Sequence, residues 1–455
     1  MMLALVGAGC LPAGVAAAQG LPPPAATDPL RLPEVVLPGL QPLIDSALDA
    51  SSRVLQARLA VLIAEAGEQD AKSGLYQHIS GGAEVDGRQE YRQDLPGVHY
   101  SGSEAYSIGT VQPIYHWNAL VNRARMGEIQ KELSENELAE ARRDLVVAMR
   151  QQYTSLILRA LDLKQARWDD DRKTKQLQRD EDRATHGEVP TFDLADERLA
   201  VQQSHLRVER MELSWDRARA DFAVLIGVKT FAADHLPMEI PAVPDWSAGL
   251  KPADSAAPAA VGGTVPDFLV PQAKAREVAR LTLEIERVRL RPTLDLVAGI
   301  TESLVAYTAN TAETYGAEVR YVGLRVNWNI FDGYQSEAAV ARARADLRQK
   351  DLDFDLAAQA LQRQLSEGWK DLELAQRELA LLEARYAQAS ARLAADQSRK
   401  DAGQIADEDW QQRLFEHEQL HLDVLQARAA QLLRVAEYAL LSERGTLPSD
   451  RLHFP

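Results

Sequence analysis

From residue 334 to residue 400 the chain contains no proline, and apolar side chains recur at sevenfold spacing: Val340, Leu347, Phe354 and Leu361, then Leu365, Leu372, Leu379, Tyr386 and Leu393. That spacing draws stripes along one helix and favours supercoiled packing against another. An unbroken helix over this stretch is about 100 Å long at 1.5 Å per residue, far longer than a globular domain is wide. The stripe needs cover along its whole length, so the fold class predicted is mainly α, built from long antiparallel coiled-coil helices.

The same plan occurs twice. Gly187 to Asp193 (GEVPTFD) matches Gly403 to Asp409 (GQIADED), and 403 − 187 = 216. Ile114-Tyr115 matches Ile330-Phe331, Tyr153 matches Trp369, and Tyr76 matches Pro292, all at that offset. A constant offset over several landmarks marks a tandem duplication. Residues 19–227 form the first repeat and 266–443 the second, with a short tail at 444–455. A connection rich in Pro, Ala and Gly joins them at 228–265.

Each repeat reads as helix, two strands, very long helix, turn and helix. The long helices are expected at 117–185 and 334–400. The shorter ones are expected at 40–74 and 189–226, and at 266–290 and 405–442. Two half-length helices stacked end to end match one long partner, which makes a wall and not a closed bundle. Several chains are needed to close it, so a homo-oligomer is expected. In the first repeat Val201, Val208, Trp215 and Phe222 carry one stripe, with Leu199, Leu206 and Leu213 beside it.

Strand-like alternation appears at 322–330. Val322, Leu324, Val326, Trp328 and Ile330 form an apolar face, and Gly323, Arg325, Asn327 and Asn329 a polar one. Nine such residues suit a membrane-spanning strand. Leu294, Leu296, Ala298 and Ile300 alternate with Thr293, Asp295, Gly299 and Thr301. In the first repeat only a polar strand is legible, through His78, Ser80, Glu84, Asp86 and Arg88, and its register is open. A soluble hairpin capping a coiled coil is the other reading of these strands.

Residues 1–18 combine an apolar core with Ala16-Ala17-Ala18, a signal peptidase pattern that predicts export with Gln19 as first residue. Cys10 is the single cysteine, so no intrachain disulfide is expected; it is either a discarded leader residue or a lipidation point. No stretch of 18 consecutive apolar residues follows, which leaves a β-barrel as the route across a membrane. The net charge of −16 opposes binding to a phosphate backbone, and no nucleic-acid partner is expected.

One enzyme-like pattern is present. His417-Glu418-Gln419-Leu420-His421 fits the H-E-x-x-H zinc signature, but it sits inside a heptad helix with no evident third ligand. Its repeat mate keeps only His205. Solvated helix-face histidines are the expectation, with no catalytic residue, metal or cofactor. Phosphate-binding glycine loops and a G-x-S-x-G elbow are absent from the sequence, so the chain supplies no energy source of its own.

The order of elements, the paired strand-end motifs and the Gly-to-Asp turns resemble the TolC family of outer-membrane efflux channels from about residue 39 to 442. VPDFLVPQAKAREVARLTLEIERVRLRPTLDLVAGI looks like the approach to that family's third strand, and RVNWNIFDGYQSEAAVARARADL like its exit into the long helix. The resemblance implies a homotrimer in the outer membrane of a Gram-negative bacterium. Its twelve-stranded β-barrel, four strands per chain, would stand above a helical conduit through the periplasm. It would be a passive conduit for an efflux pump or a type I secretion system, with a periplasmic adaptor protein, an inner-membrane transporter and outer membrane lipid as partners. An exported structural coiled coil without a pore is the alternative. By the same resemblance, acidic residues beside the tip turns at Gly187 and Gly403 narrow the entrance. The position six after the second glycine is Asp409 and its mate is Asp193, with Asp407 and Glu408 alongside. Gln412 stands where the family has a second aspartate, and Ile405 where it has a basic residue, which removes the expected latch there.

Overall fold

The computed structural model describes residues 32–37, 39–93, 95–186, 191–232, 236–242, 246, 250, 265–307 and 314–442. The leader 1–18, Cys10, Gly187 and the tail 444–455 lie outside the described residues. The elements in chain order are α1 (Pro33–Val36), α2 (Leu40–Ala50), α3 (Ser52–Ser73), β1 (His78–Arg92), β2 (Leu95–Tyr115), α4 (Ala119–Thr185), α5 (Thr191–Ile226), α6 (Val270–Arg287), β3 (Thr293–Tyr307), β4 (Thr314–Asn327), α7 (Gln335–Asp401) and α8 (Asp407–Leu441). A short 3-10 turn, Asp267–Leu269, leads into α6.

The duplication governs the backbone. α4 and α7 are each 67 residues long and start and end 216 residues apart. Both are entered through two consecutive left-handed residues, Trp117-Asn118 (φ 52° and 63°) and Gly333-Tyr334 (both 67°). L side chains rarely adopt that conformation. The strand-to-helix corner is therefore the same sharp device in both repeats. In the second copy Asp332 closes it by accepting from the Ser336 amide at 3.0 Å.

Each long helix is covered by two shorter ones. α3 runs antiparallel along the first part of α4, with Lys72 bridging Glu68 and Glu128 and Lys131 reaching Glu65. α5 returns along the last part, with Arg198 on Glu181, Arg167 on Glu212 and Arg159 on the Ser214 hydroxyl. In the second repeat Arg276 lies over Phe354 between α6 and α7, and Arg428–Glu383 and Arg413–Asp396 join α7 to α8. Such exposed pairs contribute little stability individually, and they fix which faces meet.

The main core lies midway along α4. Leu145, Val146, Met149, Tyr153, Leu156 and Ile157 of α4 meet Leu40 and Ile44 of α2, Phe222 and Ile226 of α5, and Leu425 and Leu432 of α8. A smaller core sets Trp246 and Leu250 of the inter-repeat connection on Leu372, Val435 and Tyr438. Mated positions form mated contacts: Tyr153 lies 6.0 Å from Phe222 and Trp369 lies 5.7 Å from Tyr438, centroid to centroid. Leu199, Leu206 and Leu213 remain 50–56% exposed along α5.

The four strands make one antiparallel sheet in the order β1-β2-β3-β4. Two expectations change here. β4 begins eight residues before Val322 and ends at Asn327, so Trp328 and Ile330 lie beyond it. The polar side chains of β1 form one side of an alternation as clear as that of β3. Ile79, Ala83 and Val85 lie on the other side with Gly81 among them and Gly87 following, and those glycines mask the period in the sequence. The register pairs Ile79 with Thr110, Thr110 with Ala298, and Ala298 with Val322. One face thus carries Ile79, Ile108, Ala298 and Val322 across all four strands, with Thr110 among them, while Asp295 and Val297 on the opposite face are buried.

Candidate functional site

Chemistry-bearing residues gather where α7 turns into α8. Gly403, at φ 71°, ends α7. Its amide donates to the Lys400 carbonyl at 2.8 Å and the Gln404 amide to the Arg399 carbonyl at 2.9 Å. That is a Schellman closure, which only a residue at ease with positive φ completes without strain. The chain then reverses, and Asp407, Glu408 and Asp409 occupy the first turn of α8, where the helix dipole favours negative charge.

The three carboxylates have different surroundings. Asp407 accepts from Lys400 Nζ at 2.9 Å and faces Arg179 of α4 at 3.6 Å. Its pKa is lowered, first by the Lys400 hydrogen bond and then by the charges of Lys400 and Arg179. Lys400 also lies over the Trp410 ring at 5.3 Å. Glu408 is 4.0 Å from Arg183 of α4. Asp409 is exposed and forms no ion pair among the described residues. Asp193 lies in the first turn of α5, and its turn glycine is outside the described residues.

Two of the four candidate acids therefore tie the second repeat's tip to α4 of the first, and one presents an unpaired charge. The sequence reading missed Lys400, Arg179 and Arg183, which supply the cations absent at Ile405. Their signal was available, since basic residues near a helix C-terminus complement its dipole. Which helix faces which tip was not. Gln412, at the expected second aspartate, bonds Glu416 on its own helix.

The H-E-x-x-H residues do not converge. His417 Nε2 lies 2.9 Å from Ser390 Oγ. Both imidazoles lie against Tyr386, with centroids 4.9 and 5.0 Å away. His417 lines a groove with Arg392 and Arg413, whereas His421 and Glu418 line another with Trp168 and Met238. The mate His205 pairs with Asp170 at 2.9 Å. Among the described residues no group of three His, Cys, Asp or Glu is placed to hold a metal ion.

The other polar concentration is at the foot of the sheet. His116 Nε2 lies 2.7 Å from Asp295, whose second oxygen accepts from Asn327 at 3.1 Å. Trp117 and Trp328 donate to the carbonyls of Pro292 and Leu290. These bonds fasten strand ends to helix ends. Around them Tyr115, Trp328, Phe331 and Tyr334 expose aromatic rings. No helix is long and apolar enough to cross a membrane, among the described residues.

Residues 43–228 match the family described as outer membrane efflux protein. Among solved structures, the outer membrane protein VceC of Vibrio cholerae is 14% identical, with a TM-score of 0.65 over 88% of this chain and 95% of that one. A membrane protein of Pseudomonas aeruginosa is 16% identical, with a TM-score of 0.68 over 89% and 93%. The MtrE outer membrane channel of Neisseria gonorrhoeae, in its open state, is 14% identical, with a TM-score of 0.65 over 88% of each chain. At these identities the likeness is one of fold. None of the curated proteins matches the chain.

Proposed function

We propose that three copies of this chain form a passive efflux conduit through the outer membrane and periplasm, a reading supported by the match of residues 43–228 to the outer membrane efflux protein family and by the fold shared with solved outer-membrane proteins. Three times the four strands of one chain make a twelve-stranded barrel, and the long helices continue it toward the inner membrane. At the tip the conduit meets a periplasmic adaptor protein and an inner-membrane transporter, which supplies the energy.

The observation that carries this reading is the two-faced sheet set directly above two 67-residue helices. A sheet with one exposed apolar face and open edges is a membrane structure only when closed with other copies. The uncovered Leu199, Leu206 and Leu213 stripe is a surface of the kind that another protomer's helix covers. The chain's own exposed edges thus ask for copies of itself.

Three Asp409 carboxylates around the axis concentrate negative potential in a narrow entrance. Asp407 and Glu408 hold the tip in place from behind, through Arg179 and Arg183. Asp193 is the equivalent position of the other hairpin. In a planar bilayer the channel is expected to be cation-selective and blocked by divalent or trivalent cations added on the periplasmic side. Asp409→Ala should abolish block at unchanged trimer yield, while Asp407→Ala and Glu408→Ala should raise conductance and leave block in place. A chain that forms no conducting trimer supports the pore-free coiled coil instead, and unchanged block in Asp409→Ala removes the gate assignment.

A further inference from the structure

The outward face of the sheet is not uniformly apolar, and its order of chemistry along the strands is specific. Starting from the helix end, Leu294 with Val326, then Leu296 with Leu324, then Ala298 with Val322 are cross-strand apolar pairs. The next pair on this face is Ile300 with Arg320, and the one after it Glu302 with Glu318. Ile79 and Ile108 extend the apolar surface across β1 and β2, exposed at 69% and 65%. A shallow groove of about 510 Å³ runs over this area, with Ile79, Ile108, Ala298, Ile300 and Val322 along it and Arg320 at its head.

Resting on the outer-membrane reading above, we infer that this groove holds an acyl chain of a phosphate-bearing lipid of the outer leaflet, with the phosphate on Arg320. The depth follows from the aromatic rings. Tyr115, Trp328 and Phe331 lie at the helix end of the apolar band, where an inner interface belongs. From Leu294 to Ile300 the strand advances about 20 Å, and charge first appears on this face at Arg320. Arg320 therefore stands at the opposite interface, at headgroup level, in the leaflet facing away from the periplasm. In a Gram-negative outer membrane the lipid there is lipopolysaccharide, which combines several acyl chains with phosphates.

The local geometry suits a phosphate. Arg320 Nε donates to Glu318 at 2.6 Å, which steadies the guanidinium. Its two terminal nitrogens have no partner among the described residues, and its side chain is 74% exposed. A guanidinium held by one edge presents the other as a planar fork for phosphate oxygens. Glu302 and Glu318 lie one step further out, and their like charge keeps a phosphate from rising past Arg320. The acyl chain then falls along Ile300, Ala298 and Val322, toward the middle of the band.

The test uses the detergent-solubilised trimer and native mass spectrometry, with diphosphoryl lipid A, its monophosphoryl form and inorganic phosphate as probes. Wild type should retain diphosphoryl lipid A more strongly than the monophosphoryl form. Arg320→Gln should weaken retention about tenfold, the scale of one charge-assisted contact, and reduce the preference between the two forms. Ala298→Trp, which fills the groove, should weaken both forms alike. Arg325→Gln, on the opposite face of the same strand, should change nothing. Inorganic phosphate at matched concentration should not displace the lipid; displacement would assign the site to free phosphate and overturn the proposal. Equal retention by wild type and Arg320→Gln, or an equal loss in Arg325→Gln, overturns it as well while the channel reading stands. Failure of the wild-type chain to form a detergent-stable trimer overturns both.

Discussion

The two repeats are alike in backbone and unlike in what they bury. Arg150 of α4 is sealed in the main core and donates through Nε and a terminal nitrogen to both oxygens of Glu34, at 3.0 and 2.7 Å. The position 216 residues on is Ser366, exposed, with its hydroxyl on the carbonyl of Arg363 one turn back. The first repeat thus receives the amino-terminal segment α1 through a buried ion pair, whereas the second receives Trp246 and Leu250 of the inter-repeat connection through apolar contacts with Leu372, Val435 and Tyr438. Duplication set the helix lengths, corners and aromatic contacts. Divergence then acted on how each copy holds the segment packed on it, by a buried ion pair in the first and by apolar contact in the second.

The largest expected effect tests this difference directly. Arg150→Met leaves the Glu34 carboxylate buried and unpaired, with side chains only 2% and 3% exposed in the native pair, and should cost about 3–5 kcal/mol. Combining it with Glu34→Gln should restore most of that, since replacing a whole buried pair is far cheaper than breaking one. Ser366→Ala should stay within about 0.5 kcal/mol. Denaturant unfolding of each variant measures all three, and comparable losses at 150 and 366 would break the contrast.

Where the repeats agree, paired truncations should agree too. Phe222→Ala and Tyr438→Ala remove mated rings that are 0% and 2% exposed, and each should cost about 3–5 kcal/mol. A gap well outside that range would mean that the two cores are not equivalent supports.

How much of this was legible beforehand depended on the kind of signal. The long helices, their ends and the offset were readable because heptads and turn residues are local patterns. The ion pair was not, because nothing in Pro33-Glu34-Val35-Val36 names its partner 116 positions away. The face of β1 was hidden for another reason. Glycine at 81, 82 and 87 contributes no hydropathy to either side of the strand, so the period disappears although the backbone keeps it. At the tip, the acids were found by position, whereas the arginines opposing them belong to the other repeat and depend on how the hairpins pack.

Glycine also gives a smaller test within the sheet. A Cβ at Gly299 would meet the Tyr321 hydroxyl at 2.6 Å and the Ile108 carbonyl at 2.9 Å, whereas one at Gly323 meets nothing within 4 Å. Gly299→Ala should therefore cost about 1–3 kcal/mol through overpacking. It should lower the yield of heat-resistant trimer, with Gly323→Ala near wild type. Equal yields would show that β4 moves aside freely.

The smallest free energy and the most direct functional readout belong to the tip, where the repeats differ again. Asp407 and Glu408 correspond to Thr191 and Phe192, which carry no carboxylate, so the ties that run from α8 to Arg179 and Arg183 of α4 are not repeated by these two positions of α5. Asp407 has a lowered folded-state pKa, caused first by the Lys400 hydrogen bond. Whatever it contributes is fully present above the ordinary carboxylate range and is lost as pH falls through its depressed folded value. At 57% exposure that contribution is small for stability, yet it acts on the few side chains that set the entrance. Lowering the periplasmic-side pH from about 7 should therefore leave wild-type single-channel conductance unchanged through the ordinary carboxylate range and raise it only below that range, as Asp407 protonates. Asp407→Asn should start high and respond much less, because the tie is already gone at neutral pH. Arg179→Gln should lie between the two, since Lys400 still holds the carboxylate. Retention of the full wild-type pH response in Asp407→Asn would place the tip's acid sensitivity elsewhere and leave the tie to α4 without a role in gating.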